Sequence, residues 1–208
     1  TNSLRLRWIP NSLAHSMVFI NHLKERRVVG GTSRIVQAPN HLWYLAEGCG
    51  NFDFIDLMSS LNLDLRFYIL YELCNCLYPY HQNSLVHGKI SPKSISINGN
   101  GTVLLHSFEI ESQHTIDEDI QDLCLLIMKV ITTPCPDKNP KQQSALATSS
   151  LRILLNEASV GNLPASLAVE WLSQSIGLLL SSTPDLLQRR LAHTLSNRRT
   201  SDNSNSVI

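Results

Sequence analysis

The run Asn98-Gly99-Asn100-Gly101, set between Ile95–Ile97 and Val103–Leu105, leaves its stretch of chain one simple way to fold. Asn and Gly tolerate the left-handed backbone of tight turns, and short β-branched apolar runs flank them, so the segment predicts an antiparallel hairpin. Just upstream, apolar residues recur at helical spacing through Leu65, Ile69, Leu73, Cys76, Leu77 and Tyr80. That period predicts one long helix over 64–83, running into Leu85-Val86-His87. Residues 41–49 (His-Leu-Trp-Tyr-Leu-Ala-Glu-Gly-Cys) alternate like a strand, paired with 28–38 across Ala38-Pro39-Asn40. Residues 52–60 suit a short helix and 11–27 a longer one. The expected class is α+β.

Composition bounds what such a fold can do. The 208 residues suffice for a full core, and 43% are hydrophobic against 16% charged. Formal net charge is zero, with no basic stripe to hold a phosphate backbone, so nucleic acid is not an expected partner. The longest apolar run, near Ile176–Leu180, is too short to span a bilayer. Cys49, Cys74, Cys76, Cys124 and Cys135 lack zinc-ligand spacing and are expected as reduced thiols of a cytoplasmic protein; no metal is expected.

Residues 85–109 resemble the catalytic and metal-binding loops of eukaryotic protein kinases, H-R-D-L-x-x-x-N followed by a hairpin and D-F-G. His87 and Pro92 fall in register, and Ser107-Phe108-Glu109 stands at D-F-G. The neighbours keep the family's order: the strand ending in Glu47-Gly48-Cys49 resembles its hinge, and Asp119-Ile120-Gln121-Asp122-Leu123-Cys124 resembles the start of its central helix. The resemblance implies a kinase-like fold with a truncated small β lobe and a mainly helical large lobe.

It also implies that the chemistry has gone. Lys89 stands at the catalytic base, and an ammonium cannot accept the substrate proton. Ser91 replaces the loop lysine. Ser94 and Ser107 replace both magnesium ligands, and neutral hydroxyls suit magnesium poorly. No Gly-rich loop or V-A-I-K strand precedes the predicted helix over 11–27, so the small lobe is expected to keep at most a remnant strand at Leu4–Trp8. Only a short stretch separates Phe108 from Asp119, leaving no activation segment. His87, Phe108 and Asp119 match family positions that hold the fold, and are expected to be structural. Ala46, at the gatekeeper position, opens a back pocket beside the hinge, while Ser96 leaves the adenine floor polar.

The expected organisation is a small-lobe remnant with hinge over 1–49, a kinase-like large lobe over 50–196, and a disordered tail over 197–208. Within the large lobe, helices are predicted over 120–132, 151–158, 165–180 and from Thr183-Pro184-Asp185 to about Leu195. Asp137–Ser150 is predicted to be a loop, and Trp171, Leu172, Ile176 and Leu179 to face the core. Glu109, Glu111, Asp117 and Glu118 read as a solvated acidic loop. The implied function is an inactive pseudokinase domain: not an enzyme, without cofactor, docking another subunit or other domains of a longer chain. The competing expectation is a nucleotide or ligand sensor that binds at the hinge without transfer.

Overall fold

The helix α2 (Leu63–Gln82) is the axis of the molecule, and it is buried on nearly every face. Apolar residues all round mark a helix enclosed by others. Asn62 starts it, its Oδ1 accepting the Leu65 N–H at 3.0 Å. In this computed structural model of the chain, backbone is described for residues 4–9, 35–38, 41–47, 54–105, 113–134 and 142–204, and side chains for 54–105, 113–134 and 149–198.

The class is α+β. A three-stranded antiparallel sheet has the order β1-β3-β2, from β1 (Leu4–Ile9), β2 (Ile35–Ala38) and β3 (His41–Glu47). Ala38 pairs with His41, which closes the expected β2–β3 turn. The predicted remnant at Leu4–Trp8 is a strand that reaches Ile9 and pairs with Leu42–Glu47 of β3. The predicted helix over 11–27 lies outside the described residues.

After α1 (Phe54–Ser60) and α2 come a 3-10 turn (Pro92–Ser94) and the hairpin β4 (Ile95–Ile97) and β5 (Val103–Leu105), in register Ile97 with Val103. Then follow α3 (Ile116–Thr132), α4 (Gln142–Ser159), α5 (Ala165–Gly177) and α6 (Pro184–Ser204). α2 packs against α3, α5, α6 and β5. Leu73, Leu77, Leu123, Ile127, Leu172, Ile176 and Leu191 meet in that core. Each such side chain contributes about 1.5–3 kcal/mol by leaving water. No helix among the described residues is long and apolar enough to cross a membrane.

Several expectations need correction, among them the helix expected over 165–180, which ends at Gly177. α3 begins at Ile116 rather than Ile120, because Thr115 and Glu118 form a reciprocal capping box. Asp117 and Glu118 therefore belong to its first turn, not to a loop. α4 occupies residues from Gln142 that were expected as loop: Gln142, Gln143, Ala145, Leu146 and Ala147 are good helix formers, and no proline follows Pro140 until the helix has ended. α6 continues to Ser204, so most of the tail expected to be disordered from Asn197 is helical. Trp171, expected in the core, is 40% exposed, since Ala168, Val169, Leu172 and Ile176 already supply the inward face of α5.

One buried cation joins two helices. Arg66 is fully enclosed, and its guanidinium donates to Leu61 O, Val130 O, Thr133 O and Pro134 O. The last three are carbonyls at or just past the end of α3, where backbone acceptors are orphaned and the helix dipole favours positive charge. Arg66→Met keeps the volume and leaves those acceptors unmatched. It should cost about 2 kcal/mol of stability, read by urea unfolding. A variant as stable as the parent would show that water replaces the guanidinium without loss.

Candidate functional site

The loop that follows α2 is held by carboxylates of α3: Asp119 takes the His87 and Gly88 amides, and Asp122 the Ile90 amide. α2 ends in a Schellman-type turn, with Leu85 N–H bonded to Tyr80 O at 2.9 Å and Ser84 N–H to His81 O at 3.0 Å. Ser84 takes the left-handed conformation of that turn at φ 56°, a place that favours glycine. Ser84→Gly should therefore raise stability by about 1 kcal/mol, seen as a higher denaturant midpoint with unchanged slope. An unchanged or lower midpoint would mean that the serine side chain has a role of its own there.

The turn aims the chain at Asp119, in the first turn of α3. Asp119 is fully buried and accepts His87 N–H at 2.6 Å, Gly88 N–H at 3.0 Å and the His81 ring Nε2 at 3.1 Å. Gly88 lies at φ 87°, which lets two successive amides converge on one carboxylate. Burial pushes the Asp119 carboxyl up. The hydrogen bonds from His81, His87 and Gly88 outweigh it and hold the group below its ordinary value. Asp122, one turn on in α3, is pushed up by its own partial burial.

His114 stands before α3 with its Nε2 3.9 Å from Asp119 and 3.7 Å from Asp122. Glu118 is pulled below its ordinary value by the Thr115 backbone and hydroxyl that it caps.

The residues singled out by sequence fall as follows. His87 is buried, and its Nδ1 accepts the Lys89 N–H at 3.2 Å. Lys89 is exposed. The Ser94 hydroxyl is turned inward, accepting Ser91 N–H at 2.9 Å and donating to Ser91 O at 2.8 Å. It is 3% exposed, so both of its hydrogen-bonding roles serve the 3-10 turn. Ala46 and Glu47 close β3, opposite Arg5 and Leu4. Gly48, Cys49, Ser107, Phe108 and Glu109 lie outside the described residues. The structure thus joins His87, Ser91, Ser94 and Asp119 around one loop.

Sequence reasoning missed His81 and Arg66. Both share a face of α2 with Leu70, Leu73 and Leu77, at steps of three and four residues. A polar residue placed in an apolar stripe is the signal that would have found them. Cys74, Cys76 and Cys124 are buried thiols; burial pushes Cys74 up and Cys124 to about 12, so neither forms a reactive thiolate at neutral pH.

Chemically, this loop is braced rather than armed. A carboxylate that already accepts three hydrogen bonds in the interior has little capacity left to take a substrate proton. Among the described residues, no group of three or more His, Cys, Asp or Glu is placed to hold a metal ion. No family model matches the sequence, and no curated protein matches it significantly.

Proposed function

We propose that the chain is a pseudokinase domain, a kinase-like frame that has exchanged phosphoryl transfer for protein docking. The observation that carries this reading is the pairing of a firmly anchored loop with inert residues. Asp119 holds the His87 and Gly88 amides, while Lys89 occupies the base position and the Ser94 hydroxyl is closed into its own turn. Phosphoryl transfer needs a proton acceptor and metal-bound phosphates in line. Neither Lys89 nor Ser94 supplies one. Anchoring survives because the loop joins α2, the hairpin and α3, and loosening it would open the core. On this reading the domain is cytoplasmic and docks another subunit or other parts of a longer chain.

A thermal-shift titration with ATP and ADP, with and without magnesium or manganese, tests the proposal. No shift at millimolar nucleotide is the expected result. A ligand that binds only the folded state must raise its stability. A metal-dependent shift would therefore overturn the inactive reading, and a metal-independent one would favour a sensor that binds through the Ala46–Cys49 hinge.

A further inference from the structure

Away from the anchored loop, an open groove of about 700 Å³ lies between α2 and α5. Its apolar walls are the rings of Tyr71 and Tyr78 with Leu178, Leu180 and Pro184, and Leu178 is 87% exposed. Among the described residues, Glu170 is the only formally charged one that lines it. Tyr78 and Gln174 both donate to the Glu170 carboxylate, at 3.4 and 3.1 Å, which fixes the acid at the groove wall. Gly177 lies beneath Tyr71: a Cβ there would sit 3.2 Å from the ring, so the missing side chain leaves the aromatic platform its seat.

The polar groups decide what fits. Asn75, which lines the groove, accepts Ser173 Oγ through its Oδ1 at 2.7 Å, so its amide N–H groups are the part of the side chain left to donate. Among the described residues neither those N–H groups nor the Tyr71 hydroxyl donates to a protein acceptor. A helical ligand satisfies its own carbonyls and has no use for such donors. An extended ligand presents carbonyls that need them. Spacing agrees: Tyr71 and Asn75 are four residues apart on α2, a rise of ~6 Å, which matches two residues of polyproline helix at ~3.1 Å each. Tyr71 and Tyr78 are seven apart, a rise of ~10.5 Å, close to the ~9.3 Å turn on which every third residue of that helix returns to one face.

We propose that this groove binds an extended, proline-rich segment of a partner protein, its prolines against Tyr71 and Tyr78 and a basic residue beside Glu170. The inference deepens the docking reading above and rests on it for the premise that the fold works by binding protein. Prolines lose little freedom on binding because the extended helix is already formed in the free peptide. The single acid supplies orientation, since only one end of the groove favours a cation.

The test is amide NMR of the intact domain titrated with a synthetic peptide that carries P-x-x-P-x-x-P flanked by arginine. Saturable shifts centred on Tyr71, Asn75, Gly177 and Leu178 are expected. Tyr71→Phe, which keeps the ring on Gly177, should weaken binding roughly three- to tenfold. Glu170→Gln should weaken it roughly threefold and flatten its salt dependence. The inference is overturned by an unperturbed spectrum at millimolar peptide, by shifts elsewhere, by wild-type affinity in both variants, or by equal binding of a basic amphipathic helix. Nucleotide added to the same sample separates the two claims: a metal-dependent nucleotide response refutes the inactive reading whatever the peptide does.

Discussion

Replacing Asp119 with alanine should lower the unfolding free energy by about 3–5 kcal/mol, the largest loss expected from any single side chain here. The change strands two buried amides, His87 and Gly88, and removes the partner of His81. Each orphaned group keeps its full desolvation penalty of about 1–3 kcal/mol. For a chain of this size the loss corresponds to a fall in Tm of roughly 6–20 °C. Asp119→Asn should fall between, since one oxygen still accepts while the amide opposes a backbone donor. The deficit is itself pH-dependent. The folded carboxyl lies below its ordinary 3.8, so its stabilisation is fully present above that value and is lost as pH falls through the folded value. Urea unfolding of parent and variant should therefore converge in acid. A neutral-pH loss under about 1 kcal/mol would show that water replaces the carboxylate and that the loop is not held as described.

Gly101→Ala is the second large effect, with an expected loss of about 3–4 kcal/mol. The residue ends the hairpin turn at φ +81°, and a Cβ there would sit 2.4 Å from the backbone oxygen of Gln188 and 3.2 Å from the Ala192 nitrogen. Neither atom belongs to a flexible side chain, so α6 must move. Gln188 Nε2 also donates to Thr102 Oγ1 at 3.1 Å, and Tyr68 Oη reaches Gly101 O at 3.4 Å. The turn is thus clamped between α2 and α6. Gly161 supplies the control: it has φ +77° with nothing within 4 Å of an added Cβ. Gly161→Ala should cost only about 1 kcal/mol, for backbone strain alone. Equal losses at the two sites would mean that strain, not the seat on α6, explains Gly101.

Local signals survived into the fold where they were redundant. The Asn98–Gly101 turn, the apolar period of α2 and the Thr183-Pro184-Asp185 start of α6 each combine a breaker or cap with a matching run, and each lies where expected. The errors came where one signal stood alone. Polarity over Asp137–Ser150 suggests a loop although its second half has strong helix formers, and the size and apolar character of Trp171 suggest the core although the residue is 40% exposed. Whether an apolar residue turns inward depends on which neighbour already fills the space. That is a tertiary property.

The site shows the same division. Asp119 and His87 were legible only through the resemblance of their segments to kinase motifs, and their meeting follows from α2 and α3 packing side by side. His81 and Arg66 show in the sequence only as polar residues in an apolar stripe, and what each does is read from the partner that satisfies it. Their partners lie 38 residues away at Asp119 and 64 to 68 away at the end of α3.

The seating of the hairpin on α6 also orders events in time. The Thr102–Gln188 bond spans 86 residues, and the Leu191 and Leu195 side chains that complete the core arrive later still. A ribosome emits α2, whose faces are nearly all apolar, long before α5 and α6 exist to cover it. Native pairings this distant in sequence slow folding, and uncovered apolar surface invites association meanwhile. The half-made chain is therefore a natural client for chaperones, and its production should respond more to the pace of translation than to the stability of the finished fold.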